Sequence, residues 1–172
     1  MWEESFMQWM ESVHSHGLDT VMTVTTYCAT YSAIWLSVCL IMLFKRSSRK
    51  YVPVILASIL LAYIVCDIVL KPIVCRERPY DVMDLEPIVA VSSSFSFPSG
   101  HTASSFAAAT ALYLHDRRYG IPALVLAGLV GISRVYLLAH WPTDVIAGAV
   151  IGVLCALSVY AMMDHVSQRH DV

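Results

Sequence analysis

Along this chain, apolar residues come in long runs divided by short polar turns, and four of those runs have the length of a bilayer-crossing helix. Val21–Phe44, Val52–Leu70, Ile121–Leu138 and Pro142–Met163 lie near the ~20 residues that cross ~30 Å of hydrocarbon. A fifth apolar segment, Thr102–Leu114, has only 13 residues, or ~20 Å at helical rise. It crosses only if its ends sit below the surface or the helix continues past them. Ahead of the first run, Trp2, Phe6, Trp9 and Val13 recur at helical spacing, with Glu3, Glu4 and Glu11 between them. This pattern predicts an amphipathic helix in the membrane interface, with tryptophan at headgroup level. The expected architecture is an all-α integral membrane protein, one domain over residues 1–172. An interfacial helix falls in 1–17, and about five transmembrane helices form a core over 18–163. Gly148 and Gly152, spaced GxxxG, would let a neighbouring helix approach the last span closely.

Composition supports the membrane reading. Of 172 residues, 58% are hydrophobic and 14% charged, against about a quarter charged in ordinary soluble domains. The first twenty residues contain no Lys or Arg, which argues against a cleaved signal peptide. A formal net charge of −2 without a basic tract leaves nucleic acid no footprint. Five cysteines form no CxxC pair and read as small polarizable hydrophobes. His14, His16, His165 and His170 are expected to be solvated.

The cations divide between two faces. Lys45, Arg46, Arg49, Lys50, Arg117, Arg118 and Arg169 fall on one side of the spans, and Lys71, Arg76, Arg78 and Arg134 on the other. The positive-inside tendency makes the first side cytoplasmic and the 80–97 loop external. The four outer cations defy that tendency, so they need a different explanation.

Three polar clusters meet on that outer face: Lys71 with Arg76 and Arg78; Ser99-Gly100-His101; and Ser133-Arg134 with His140 and Asp144. A single Lys or Arg at a span's end is usually a snorkelling anchor, but three converging clusters exceed what anchoring needs. Guanidinium forks and an ammonium suit the oxygens of a phosphate. Ser99 and Gly100 precede a helix, where free N–H groups favour an anion and Gly100 lets backbone come close. Asp144 lies four residues after His140, with Pro142 opening a helix between them. It can reach back to the imidazole N–H and set its tautomer, leaving His140 a nucleophilic nitrogen. His101, on another helix, can serve as general acid. Asp67, four residues before Lys71, can pair with it across one turn. Lys and Arg supply the charge, so no metal and no cofactor are expected.

These residues also carry a resemblance. "KPIVCRERP" (71–79), "PSGH" (98–101) and "SRVYLLAHWPTD" (133–144) resemble, position by position, the tripartite signature KxxxxxxRP, PSGH, SRxxxxxHxxxD of the type 2 phosphatidic acid phosphatase family. The resemblance covers roughly residues 19–160 and implies a phosphohistidine on His140, with Asp144 orienting it and His101 as acid. It further implies phosphate binding by Lys71, Arg78, Ser99, Gly100 and Arg134 without a metal; Arg76 lies outside the strict signature. The expected partners are a lipid phosphate substrate and membrane lipids, with no nucleic acid; the oligomeric state stays open. Undecaprenyl pyrophosphate, phosphatidylglycerophosphate and phosphatidic acid all suit such a pocket. The expected site is the outer face of the cell membrane. Two alternatives stand beside hydrolysis: a lipid phosphotransferase, and a non-catalytic lipid-phosphate binder or transporter. A pure binder would not need the His140–Asp144 pair together with His101.

Overall fold

In the computed structural model the described residues are 2–89 and 93–170, with 164–170 described by backbone alone. The side chains of His165, Arg169 and His170 therefore lie outside the described residues. Nine α-helices carry the described chain: α1 (Trp2–Ser12), α2 (His16–Ala29), α3 (Ala33–Phe44), α4 (Val52–Tyr63), α5 (Lys71–Val74), α6 (Pro79–Val82), α7 (Gly100–His115), α8 (Arg117–Tyr136) and α9 (Pro142–His170). The first apolar run is a broken helix. A short 3₁₀ turn, Thr30–Ser32, separates α2 from α3, with Tyr31 and Ser32 at positive φ of 51° and 57°. In the second run, α4 continues through a π-helical stretch, Ile64–Leu70, into α5.

Four helical segments are long and apolar enough to cross a membrane: His16–Phe44, Arg49–Val82, Arg117–Tyr136 and Pro142–Met163. The short fifth segment gains only a few residues as α7, 16 residues in all, or about 24 Å. Its position accounts for its composition. α7 stands at the centre of the bundle, against α4, α8 and α9, with Ala103, Ala107, Ala108 and Ala109 fully buried. Neighbouring helices rather than lipid surround it, so small residues serve it better than large apolar ones. The outer helices instead turn Ile41, Phe44, Leu60, Val125 and Leu154 outward.

The GxxxG pair of α9 finds its partner in α7. A Cβ at residue 152 would stand 2.3 Å from the Ala103 carbonyl oxygen, and one at 148 would stand 2.6 Å from the Ser99 carbonyl oxygen. Both are backbone atoms that cannot swing aside. Gly152→Ala should therefore push α9 off α7 and destabilise the protein by about 1–3 kcal/mol, the usual cost of overpacking. An unchanged thermal unfolding midpoint in detergent would contradict this.

The two basic turns meet at one end of the bundle, where Lys45 Nζ donates to the Tyr119 hydroxyl at 3.0 Å. At the other end α1 packs under the loops. Its Met7 is buried with Leu85, Val135, Leu138 and Trp141, while Trp2 and Trp9 are 62% and 55% exposed. The expected amphipathic helix forms, but Glu3, which the sequence groups with Glu4 and Glu11, turns inward and is buried. His14, expected in solvent, instead bonds the Tyr136 carbonyl through Nε2 at 2.8 Å and lies tilted against the Tyr136 ring, 4.7 Å between centroids. It fastens the α1–α2 turn to the end of α8.

Candidate active site

Four helix ends meet at the pole opposite the basic turns: α5, the N-terminus of α7, the C-terminus of α8 and the N-terminus of α9. Together they carry the three clusters seen in sequence, the last of them shared between α8 and α9. α8 ends in a tight turn in which both Ala139 N–H and His140 N–H donate to the Arg134 carbonyl, at 3.1 and 3.2 Å. Leu138 closes that turn at φ 58° and is fully buried; its left-handed backbone costs of order 1–3 kcal/mol, held by the packing around it. The turn folds His140 back over Arg134, and Pro142 then starts α9 at once.

His140 and Asp144 are 2% and 0% exposed. Arg78 Nη1 lies 3.4 Å from His140 Nε2. A guanidinium can only donate, so Nε2 is the unprotonated nitrogen and Nδ1 carries the hydrogen. Nδ1 faces Asp144 Oδ2, but at 3.6 Å, longer than a hydrogen bond. This corrects the expected direct contact. Ser96 fills the gap: its hydroxyl lies 3.4 Å from Nδ1 and donates to Asp144 Oδ2 at 2.5 Å. The same carboxylate oxygen accepts the Trp141 N–H at 3.0 Å. Burial, then the charges of Arg134, Arg78 and Lys71, holds the His140 imidazole well below its usual range, because each disfavours a further positive charge.

Arg78 is held rigidly. Its Nε donates to the Ser94 carbonyl at 2.8 Å and its Nη1 to the Ala139 carbonyl at 2.8 Å. Arg134 donates to the hydroxyl of Thr26 on α2. Among the described residues, its Nε is a buried N–H without a partner. An unpaired buried donor costs roughly 1–3 kcal/mol, and a phosphate oxygen entering the pocket would satisfy it. Lys71 bonds Asp67 across one helical turn, as the sequence predicts, within the π-helical widening of the helix.

Lys71, Arg78, Gly100, His101, Arg134 and His140 line one cavity of about 560 Å³. Two expected ligands are arranged differently from the expectation. The Ser99 hydroxyl pairs with Thr102 at 2.9 Å, and its N–H donates to the Asp144 carbonyl at 3.1 Å. Ser99 therefore ties α7 to α9 and does not offer a free N–H. Gly100 does line the cavity, but a Cβ there would stand 2.6 Å from Asp67 Oδ2. The absent side chain makes room for that carboxylate. Arg76, grouped in sequence with the phosphate ligands, is bound to acids: Nη1 donates to Asp144 Oδ1 at 2.6 Å and Nη2 to Glu3 Oε2 at 2.7 Å. Sequence reasoning missed Ser96, Thr26 and Glu3. Ser96 stands two residues before PSGH, whereas neither of the others has any local signal.

Away from the cations, the cavity wall is apolar: Leu36 of α3, Leu56, Ile59 and Leu60 of α4, and Tyr63, with the α2–α3 break at Ala29, Tyr31 and Ser32. A polar head site thus joins a greasy groove between two membrane-length helices.

A model of the PAP2 superfamily matches residues 51–167. The undecaprenyl-diphosphatase BcrC of Bacillus subtilis is 25% identical over 163 residues, covering 89% of this chain and 79% of that protein. Among solved structures, the transmembrane PAP2 type phosphatidylglycerolphosphate phosphatase from Bacillus subtilis is 30% identical with a TM-score of 0.79, covering 95% of this chain and 85% of that one. LpxE of Aquifex aeolicus has a TM-score of 0.81 at 24% identity, over 91% of this chain and 93% of its own, a likeness of fold. The matched region contains all three polar motifs and the helices that bring them together, and this chain belongs to the PAP2 superfamily.

Proposed function

We propose that this chain, a membrane lipid-phosphate phosphatase of the PAP2 superfamily, removes the terminal phosphate of a long-chain lipid pyrophosphate at the outer face of the cell membrane. The continuous cavity carries this reading. Its cationic end suits phosphate oxygens, and its apolar end, lined by Leu36 of α3 and by Leu56, Ile59 and Leu60 of α4, suits a hydrocarbon tail that need not leave the bilayer. A relative matched over 79% of its length is named for undecaprenyl diphosphate, which supports a polyprenyl tail. The bias of basic residues towards the opposite pole supports an outward-facing site.

His140 Nε2 attacks phosphorus, and the bond to the bridging oxygen breaks. Arg78, Arg134 and Lys71 face the equatorial oxygens, where charge develops. The bound phosphate offsets the charges of Arg134, Lys71 and Arg78, so that His101 takes up a proton with the substrate and gives it to the departing oxygen. Water, deprotonated by the same imidazole, then attacks the phosphohistidine and releases phosphate, returning both histidines to their starting states. The whole chain acts as one catalytic unit.

The experiment uses intact cells and a short-chain, membrane-impermeant pyrophosphate substrate, followed by a panel of lipid phosphates with the purified protein. Phosphate release without permeabilisation, and preference for a polyprenyl pyrophosphate over phosphatidic acid, are expected. Release only after permeabilisation would overturn the orientation. Transfer of label to a second lipid would replace hydrolysis by phosphotransfer. Binding without release would leave only a binder.

A further inference from the structure

Glu3 lies outside every signature motif, yet its carboxylate is among the most engaged acids of the structure. Oε2 accepts from Arg76 Nη2 at 2.7 Å. Oε1 accepts the Thr143 hydroxyl at 2.8 Å and the Thr143 N–H at 3.2 Å. Thr143 belongs to the first turn of α9 and adjoins Asp144. The other end of the Arg76 fork reaches the same turn, donating to the Thr143 hydroxyl at 2.7 Å and to Asp144 Oδ1 at 2.6 Å. The Arg76 guanidinium also lies over the Trp141 ring, 5.2 Å from its centroid. Glu3, Arg76 and Asp144 thus form an alternating chain of charge from α1 to the carboxylate behind His140.

We infer that Glu3 is a positioning residue for the reaction, delivered by the N-terminal helix and acting through Arg76 on Asp144. Two physical effects follow from its place. A guanidinium held by carboxylates at both ends has one plane, and that plane directs Asp144 Oδ1 so that Oδ2 faces Ser96 and His140. Glu3 also shares the charge of Arg76, leaving the three-group cluster one negative charge in excess. When His140 becomes cationic on phosphorylation, that excess favours it; a neutral Glu3 substitute would remove it. Glu3 touches neither substrate nor the reacting atoms, so its loss acts on turnover and spares binding. The inference rests on His140 as nucleophile and Asp144 as its orienting group.

Glu3→Gln keeps shape and loses charge. In detergent-purified protein it should lower kcat by about 10-fold, and not beyond the roughly 10²-fold that follows a small misplacement of catalytic groups, with KM little changed. Glu3→Asp, which keeps the charge but draws it back by one methylene, should fall between Gln and wild type. In combination with Arg76→Lys, the Gln substitution should cost less than the product of the separate losses, because both act through one chain. Wild-type kcat in Glu3→Gln, a rise in KM alone, or fully multiplicative losses would each overturn the inference. If Glu3→Gln does not fold, Glu3→Asp decides: a lower kcat at constant KM supports the chain, and a wild-type kcat refutes it. His140→Ala is measured alongside. Turnover in that variant would remove the nucleophile and this inference together, whereas an inactive His140→Ala beside a fully active Glu3→Gln would remove this inference alone.

Discussion

His140→Ala should abolish turnover while the protein still binds a lipid phosphate, because Lys71, Arg78 and Arg134 remain to hold the anion. Attack on phosphorus requires the lone pair of Nε2, which lies 3.4 Å from Arg78 Nη1. Rapid acid-free quench of the wild type with labelled substrate should capture phosphate on protein, and the variant should carry none. Near-normal phosphate release by His140→Ala would remove the nucleophile assignment. The same residue sets a pH dependence. Burial and the neighbouring cations hold the His140 pKa well below 6.5, and a group with a lowered pKa is unprotonated at every pH above it. His140 is therefore nucleophilic across the neutral range, and the acid limb of kcat/KM, which reports the free enzyme, should lie below pH 6.5. An acid limb above pH 7 would contradict the assignment.

Asp144→Asn should be nearly as damaging, with kcat falling by about 10⁴-fold, as when a catalytic histidine loses its orienting carboxylate. The reason is a matter of donors. Ser96, the Trp141 N–H and Arg76 all donate to Asp144, and an amide presents one oxygen and two further donors. Either orientation of asparagine turns its NH₂ towards a donor and leaves it unpaired. Arg76 also loses its innermost counter-charge. The variant should thus lose stability as well, on the order of 3 kcal/mol, read as a lower thermal unfolding midpoint in detergent. A kcat within tenfold of wild type would show that Asp144 serves the fold alone.

Much of the site was legible because its parts are local. Each cluster sits within a dozen residues at the end of one apolar run, and helix ends of equal-length spans fall on the same face whatever their packing. Asp67 and Lys71 were also readable, since four residues of spacing put them on one helical face. The arrangement of Ser99, Gly100 and Arg76 was not. Free N–H groups at a helix start and a guanidinium near a phosphate site are chemically sound expectations. Here the Asp144 carbonyl takes the Ser99 N–H, Asp67 fills the space beside Gly100, and two acids claim Arg76.

The sequence by itself determined the membrane class, the membrane-length runs to within the short central segment, and the three polar clusters that stand at their ends. Hydrophobic run length and motif spacing are properties of contiguous chain, and they survive without knowledge of what packs on what. Tertiary structure alone decided which helix is enclosed, how the tail groove forms and how the catalytic carboxylate is held. α7 could be central only because α4, α8 and α9 surround it; the groove exists because α2 and α3 break opposite α4. The bonds from Ser96 to Asp144, Glu3 to Arg76 and Thr26 to Arg134 join residues 48, 73 and 108 positions apart. Such contacts come from helices docking side by side, and no periodicity along the chain encodes them.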